Sequence, residues 1–197
     1  MGVVSFLHQK GGTGKSTLAI ASALCLAGRG EKVILVDADS QGTSAEWANR
    51  FGHRFGVESL SQIQPVLEED ARRLSAEFAW VVIDSPPSLS PITQSVLQAG
   101  GRLIIPIRPA WPDVWALPWV AAIVKKLRRD RYTLDPLVVF NQHQGESLSP
   151  FLAQIAPSNL PVSPTPIPYH PAFAALFEGQ PLPADLTRQV LTLVGAD

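Results

Sequence analysis

Short, nearly continuous apolar runs at residues 3–7, 32–37, 80–84, 102–107 and 137–140 alternate with segments of helical spacing. Strands buried on both faces read as such runs, and connections of a dozen or more residues between them require parallel pairing through crossovers. The pattern predicts an α/β fold, a mostly parallel twisted sheet flanked by helices on both faces. Length and composition agree: 197 residues, 46% hydrophobic and 17% charged, can bury one large core. No internal repeat, low-complexity tail or dividing linker is visible, so residues 1–197 are expected to form a single domain. The third observation is where the polar chemistry falls. A glycine-rich loop and several acids stand at the carboxyl ends of the runs, where open parallel sheets bind ligands.

The elements follow in order. The run at 3–7 feeds the loop Lys10-Gly11-Gly12-Thr13-Gly14-Lys15-Ser16-Thr17, and the apolar spacing after it predicts a helix over 15–29. The run at 32–37 ends in Asp37-Ala38-Asp39 and precedes a helix over 44–50, a weaker strand over 54–57 and a helix over 61–77. The run at 80–84 ends in Asp84-Ser85-Pro86-Pro87 before a helix over 91–99. A helix over 113–131 follows the run at 102–107. Proline is tolerated in a first turn, so Pro118 would move that helix's start to about Leu117 and leave Trp111 outside a stripe otherwise formed by Trp111, Trp115 and Trp119. The strand at 137–140 is followed by helices over 147–155, 170–178 and 184–194. Residues 157–171, with six prolines, read as a rigid surface loop, although 160–165 could be a weak strand.

The loop has the parts of a phosphate-binding P-loop. Gly11, Gly12 and Gly14 let backbone N–H groups turn inward, Lys15 reaches the β- and γ-phosphates, and Ser16 offers a hydroxyl to Mg²⁺. Thr13 and Thr17 complete the cradle, and the strand before and helix after supply the setting that such a match needs. A tight strand-to-helix turn alone would explain neither Lys15-Ser16 nor the flanks. Lys10 is an extra cation, too far round the turn to repeat the work of Lys15. Its expected target is the nucleotide of a second subunit, the device by which a finger residue stabilises a transferring phosphate.

With Lys10 the loop resembles the deviant Walker A signature KGGxGK[ST] of the ParA/MinD ATPases, and most closely the small ParF-like partition proteins. Asp37-Ala38-Asp39-Ser40-Gln41 is similar to that family's DxDPQ segment, with Ser40 in place of proline, and Asp84-Ser85-Pro86-Pro87 to its D[ST]PP segment. The resemblance extends through Leu103–Pro109, with Asp113 shortly after, and through residues 137–141. It implies ATP and Mg²⁺ as cofactors. It also implies Asp37 and Asp84, with Ser16, as metal-binding residues acting partly through water, and Lys10, Lys15 and Asp39 as catalytic residues, Asp39 orienting the attacking water. Asn141 and Pro168 are the residues implied for the adenine pocket. The expected activity is slow, partner-stimulated ATP hydrolysis by a homodimer that forms in the ATP state, binds non-specific DNA and meets a ParB-like or other adaptor. The expected role is plasmid or chromosome partition. The alternatives are positioning of a protein cargo such as a carboxysome or chemoreceptor cluster, or a metabolic P-loop ligase of the dethiobiotin synthetase or cobyrinate amidating type.

Charge bears on the DNA expectation. Lys125, Lys126, Arg128, Arg129 and Arg131 gather five of the sixteen basic residues at one helix end, either as a dipole-matched terminus or as a phosphate-tracking patch. Beyond them Arg188 is the single lysine or arginine, and the net charge is −1, so steering by the whole molecule is excluded. The final helix lacks the basic polar face of a membrane anchor, which favours core packing. No apolar stretch of spanning length and no signal peptide is visible, so the expected location is cytoplasmic, on the nucleoid if DNA is bound. The lone cysteine, Cys25, reads as a packing residue and argues against the cluster-bearing nitrogenase iron protein, while His8, His53, His143 and His170 show no zinc spacing.

Overall fold

Six parallel strands in the order β3-β2-β4-β1-β5-β6 make one sheet in the computed structural model, which describes residues 2–64, 67–88, 90–130 and 132–196, side chains at 67 and 68 excepted. The strands are β1 (Gly2–Phe6), β2 (Val33–Asp37), β3 (Val57–Ser61), β4 (Trp80–Asp84), β5 (Gly101–Ile107) and β6 (Leu134–Phe140). Alternate residues of each strand feed opposite cores, as the two-residue period of a strand demands. Val33 and Leu35 pack beneath α1 (Lys15–Gly28) and α10 (Ala184–Val194), whereas Ile34 and Val36 pack with Leu74 of α4 (Leu67–Glu77) and Val96 of α5 (Pro91–Gln98). A further cluster joins β5 and β6 to α7 (Leu117–Arg129) through Leu103, Ile105, Val120, Val124 and Leu127. The sheet is thus covered on both faces.

α10 buries Leu186, Val190, Leu193 and Val194, each worth roughly 1.5–3 kcal/mol of removed apolar surface, so its apolar stripe is spent on the core. No helix among the described residues is long and apolar enough to cross a membrane. Cys25 is buried in α1, and burial pushes its thiol up to about 11, as suits a packing residue.

Register matters more for the site than any single element. Asp37 of β2 lies opposite Asp84 of β4, and Asp84 opposite Phe6 of β1, so all three carboxyl ends share one rung. Chain leaving these strands therefore enters one shared crevice: the P-loop after β1, the Asp39 segment after β2 and the Ser85 segment after β4.

Several local expectations change. Residues 53–55 are helical (α3, His53–Phe55), and the strand expected at 54–57 instead runs from Val57 to Ser61, where the helix expected at 61–77 was to begin. Val57–Ser61 is an edge strand with a largely exposed, polar pattern, which hides it from a search for apolar runs. The helix at 44–50 becomes α2 (Thr43–Trp47) followed by a π-helical turn, Ala48–Gly52. The helix at 113–131 divides into α6 (Trp111–Val114) and α7, with Pro118 in the first turn of the second. The three tryptophans consequently share no stripe: Trp111 rests 4.8 Å from Phe151, Trp115 is 65% exposed, and Trp119 packs against the β5–β6 core.

The proline-rich segment runs beside β6 without becoming a strand. Ser163, Ile167 and Tyr169 donate backbone N–H groups to Val138, Phe140 and His143, while Val138 and His143 donate back to Pro161 and Ile167. Pro161, Pro164, Pro166 and Pro168 have no N–H, so a full ladder cannot form, and the sheet edge is covered by a chain that offers few donors outward. Two further short helices, α8 (Ser149–Ile155) and α9 (Pro171–Ala175), flank this segment.

Candidate functional site

Four carbonyls of the loop are occupied within the chain. The carbonyl of Lys10 accepts Lys15 Nζ–H (3.3 Å), that of Gly12 accepts Gln142 Nε2–H (3.0 Å), that of Thr13 accepts Asn141 Nδ2–H (2.8 Å) and that of Gly14 accepts Leu18 N–H (2.9 Å). The N–H groups of residues 11–17 have no acceptor among the described residues, and the last of them stand at the N-terminus of α1, which leaves the donors of the loop for an anion. Gly14 is required twice over. Its φ is +96°, and a Cβ there would collide with the Asn141 amide. Gly14→Ala is expected to lower folding stability by roughly 2–4 kcal/mol and to remove phosphate binding, which urea unfolding and nucleotide titration would measure. An unchanged unfolding midpoint would contradict the collision.

Lys15 is 7% exposed, and burial lowers its pKa against the opposing pull of Asp84 and Asp39. A desolvated ammonium with a single neutral acceptor among the described residues is a cation held ready for an anion. Lys10 is half-buried, and its ammonium has no hydrogen bond or carboxylate partner among the described residues of its own chain.

The acids divide their work. Asp37, fully buried, accepts Asp39 N–H at Oδ1 (2.9 Å) and Ala45 N–H at Oδ2 (2.7 Å), so it shapes the segment that carries Asp39. Asp39 is half-buried, with Oδ1 accepting Gln41 N–H (3.0 Å). Asp84 is also fully buried, yet among the described residues neither of its oxygens makes a well-formed hydrogen bond, nor do the hydroxyls of Thr13 and Ser44. Burial pushes Asp84 up to about 7, Asp37 adds to the rise, and the Ser16 and Ser44 hydroxyls that face it pull the other way. An orphaned carboxylate beside two hydroxyls and a phosphate cradle fits a hydrated Mg²⁺, which keeps several of its waters. Ser16 and, partly through water, Asp84 and Asp37 would hold it, each Asp37 oxygen already accepting one backbone N–H. Ser85 is fixed by donating its hydroxyl hydrogen to the Phe6 carbonyl, tying the β4 exit to β1.

A cleft of about 360 Å³ opens beside Gly14 and Thr17, within the size of small-ligand pockets. Asn141 and Pro168 line it, with Tyr169, Phe173 and Phe177 as an apolar wall that sequence reasoning missed. Asn141 Nδ2 is spent on the loop, and Oδ1 faces no donor among the described residues, which leaves an acceptor for an exocyclic amine. The wall is joined to the Asp39 side of the crevice. Trp47, at the end of α2, donates its indole N–H to Leu176 O (2.8 Å) and stacks on Phe55, and Arg54 Nη1–H reaches Gly179 O (3.1 Å).

The basic cluster lies elsewhere. Lys125, Lys126, Arg128 and Arg129 are exposed at the end of α7, and Arg131 lies outside the described residues. They do not form one uniform patch. Lys125, Arg128 and Arg129 border a hollow of about 650 Å³ against residues 157–160, while Lys126 sits in another beside α5. The Arg128 guanidinium is also occupied, donating to Leu134 O (2.9 Å).

A phosphate cradle after β1, a buried lysine, a metal-ready acid after β4 and an adjacent apolar cleft define a P-loop nucleotide-binding protein. The model of the CobQ/CobB/MinD/ParA nucleotide binding domain matches residues 4–182, and the chain belongs to that family. Maintenance of carboxysome distribution protein A from Gloeobacter kilaueensis is 40% identical over 116 residues, covering 58% of this chain and 53% of that protein. Chromosome-partitioning ATPase Soj from Thermus thermophilus is 30% identical over 163 residues, 68% of this chain and 64% of its own length. The chain thus spans between about half and two thirds of these curated relatives. The fold is that of the solved Cyanothece McdA(D38A)–ATP complex, with TM-score 0.81 at 19% identity over 100% of this chain and 97% of that one.

Proposed function

We propose that this chain is an ATP-switched, dimerising ATPase that positions or segregates cargo. The observation that carries the reading is Lys10: a cation at the start of the phosphate loop whose ammonium has no partner among the described residues of its own chain. In the closed homodimer each Lys10 reaches the partner's phosphates, while the loop N–H groups and Lys15 hold the chain's own nucleotide. Ser16 and, partly through water, Asp37 and Asp84 would hold Mg²⁺, which would supply charge neutralisation at the phosphates. Asp39 orients the attacking water, and Asp37 fixes the loop from which Asp39 projects. Loss of the γ-phosphate relaxes the segments after Asp37 and Asp84. Adenine occupies the cleft lined by Asn141 and Pro168.

The cargo reading follows the relatives. One is named for chromosome partition and another for carboxysome distribution, so a nucleic-acid cargo met through a ParB-like adaptor and a protein assembly are both within the proposal. In the ATP state the dimer binds non-specific DNA through the end of α7 and acts in the cytoplasm on the nucleoid. The test is DNA affinity with ATP, ADP and no nucleotide over a salt series, beside a variant carrying Lys125→Ala, Lys126→Ala and Arg129→Ala that spares the structurally occupied Arg128. The expected result is ATP-specific binding in the wild type, at least ~10-fold weaker in the variant and with a shallower salt slope. Equal binding by both proteins would remove α7 as the DNA surface. The family also includes CobQ and CobB, so turnover that depends on a small carboxylic acid and ignores DNA would replace this reading with a ligase.

A further inference from the structure

Arg108 stands at the carboxyl end of β5, the strand next to β1, and Asp113 lies one turn later in α6, fully buried. Asp113 Oδ2 accepts the Arg108 backbone N–H (3.0 Å) and Nε–H (2.9 Å), and Oδ1 accepts Nη2–H (3.0 Å). The guanidinium is gripped at two of its three nitrogens, so its plane cannot turn. The third nitrogen, Nη1, is left on a side chain that is 40% exposed, and it lies 4.0 Å from where a Cβ on Gly12 would stand.

The same aspartate also reaches the start of the loop. Its backbone carbonyl pairs with Nε2 of the fully buried His8 (3.3 Å), and His8 Nδ1 accepts the Lys10 N–H (3.1 Å). Because Nδ1 accepts, the hydrogen is on Nε2 and the ring is neutral, as its buried setting favours. A carboxylate sealed under an arginine adds little to stability compared with apolar packing. What it secures here is position: Nη1 is held beside Gly12, in the half of the loop that begins with Lys10.

We propose that Arg108 is a second phosphate-directed cation of this site, its Nη1 edge contacting the terminal phosphate that Lys10 also addresses. Asp113 and His8 are positioning residues that hold Arg108 and the Lys10 backbone in one frame. The proposal rests on the nucleotide reading above and extends it. Since Asp113 balances the charge, Arg108 contributes a fixed donor more than net attraction, and it distinguishes a nucleotide that has a terminal phosphate from one that lacks it.

The test is calorimetric titration of ADP and of a non-hydrolysable ATP analogue into wild type, Arg108→Ala, Arg108→Lys and Asp113→Asn, with melting midpoints measured alongside. Arg108→Ala is expected to leave ADP affinity within about 2-fold and to weaken the analogue at least ~10-fold. Arg108→Lys, which keeps the charge but loses the fork, falls between. Asp113→Asn shifts the analogue-to-ADP ratio in the same direction, and combining it with Arg108→Ala adds little, since both act through one donor. Equal losses for both nucleotides would make Arg108 a loop support, and no loss for either would remove it from the site. A wild type that binds neither nucleotide would overturn the nucleotide reading itself, an outcome distinct from an unchanged ratio.

Discussion

Replacing Lys15 by alanine is expected to abolish measurable ATP binding while leaving the nucleotide-free protein at least as stable as wild type. The two effects come from one fact. Lys15 is a desolvated cation, 7% exposed, whose only hydrogen bond among the described residues is to the neutral Lys10 carbonyl at 3.3 Å. Removing it relieves a burial cost and forfeits charge-assisted bonds of roughly 1.5–3 kcal/mol each. Two such bonds to phosphate correspond to at least ~100-fold in affinity. Thermal melting with and without Mg–ATP reads both at once: the wild type should show a ligand-induced rise, and the variant an unchanged or higher midpoint with no rise. Lys10→Ala provides the contrast, with binding retained within about 3-fold and hydrolysis reduced by roughly 10³-fold, the scale of finger residues. Full turnover in the Lys10 variant would exclude delivery of that ammonium to a partner's phosphates.

The second large effect concerns Asp84. Its carboxyl is raised to about 7 by burial, whereas in the unfolded chain it ionises near the ordinary 3.8. A raised folded value means that stability is fully present below the unfolded pKa and falls as pH climbs towards the folded one. The nucleotide-free protein should therefore lose roughly 3–4 kcal/mol between about pH 4 and 7 from this group alone. Asp84→Asn removes that slope. Urea unfolding should find the variant more stable than wild type at pH 8, with most of the gap closed at pH 5. The variant should also lose the Mg²⁺ dependence of ATP affinity, because the orphaned oxygens are what a hydrated ion would satisfy. A stability gap of the same size at both pH values would mean that Asp84 is ionised throughout, and would sink the account.

The chemistry was more legible in the sequence than the scaffolding that aims it. Lys10, Lys15, Ser16, Asp37 and Asp84 can be read because loops and acids at strand ends have local signatures, and parallel pairing brings those ends together. Asn141 and Pro168 were legible by resemblance and do line the cleft, but its aromatic wall comes from residues 169–177, whose approach depends on the chain shadowing β6. His8 looked like a scattered histidine because its partner is 105 residues away, and Trp47 gave no signal because Leu176 lies 129 residues on. Arg108 and Asp113 were visible within the stretch that resembles the family, but their mutual grip and the nearness of Gly12 are facts of three dimensions. The edge strand Val57–Ser61 was missed because an exposed strand need not be apolar. The basic run was easy to see, but not that its cations border different hollows or that Arg128 is employed in the fold.

The shared rung of Phe6, Asp37 and Asp84 limits how the molecule can signal. Those positions are separated by lateral backbone pairing inside a sheet covered on both faces, so their spacing is as stiff as the sheet itself. A slip of one residue would turn each side chain to the opposite face, leaving no intermediate setting that bends the site a little. The sheet is then a fixed ruler laid under the phosphates. Information about which nucleotide is present can leave only by the loops that begin where the ruler ends, and any partner that senses the state of this protein must touch those loops or the helices they pull.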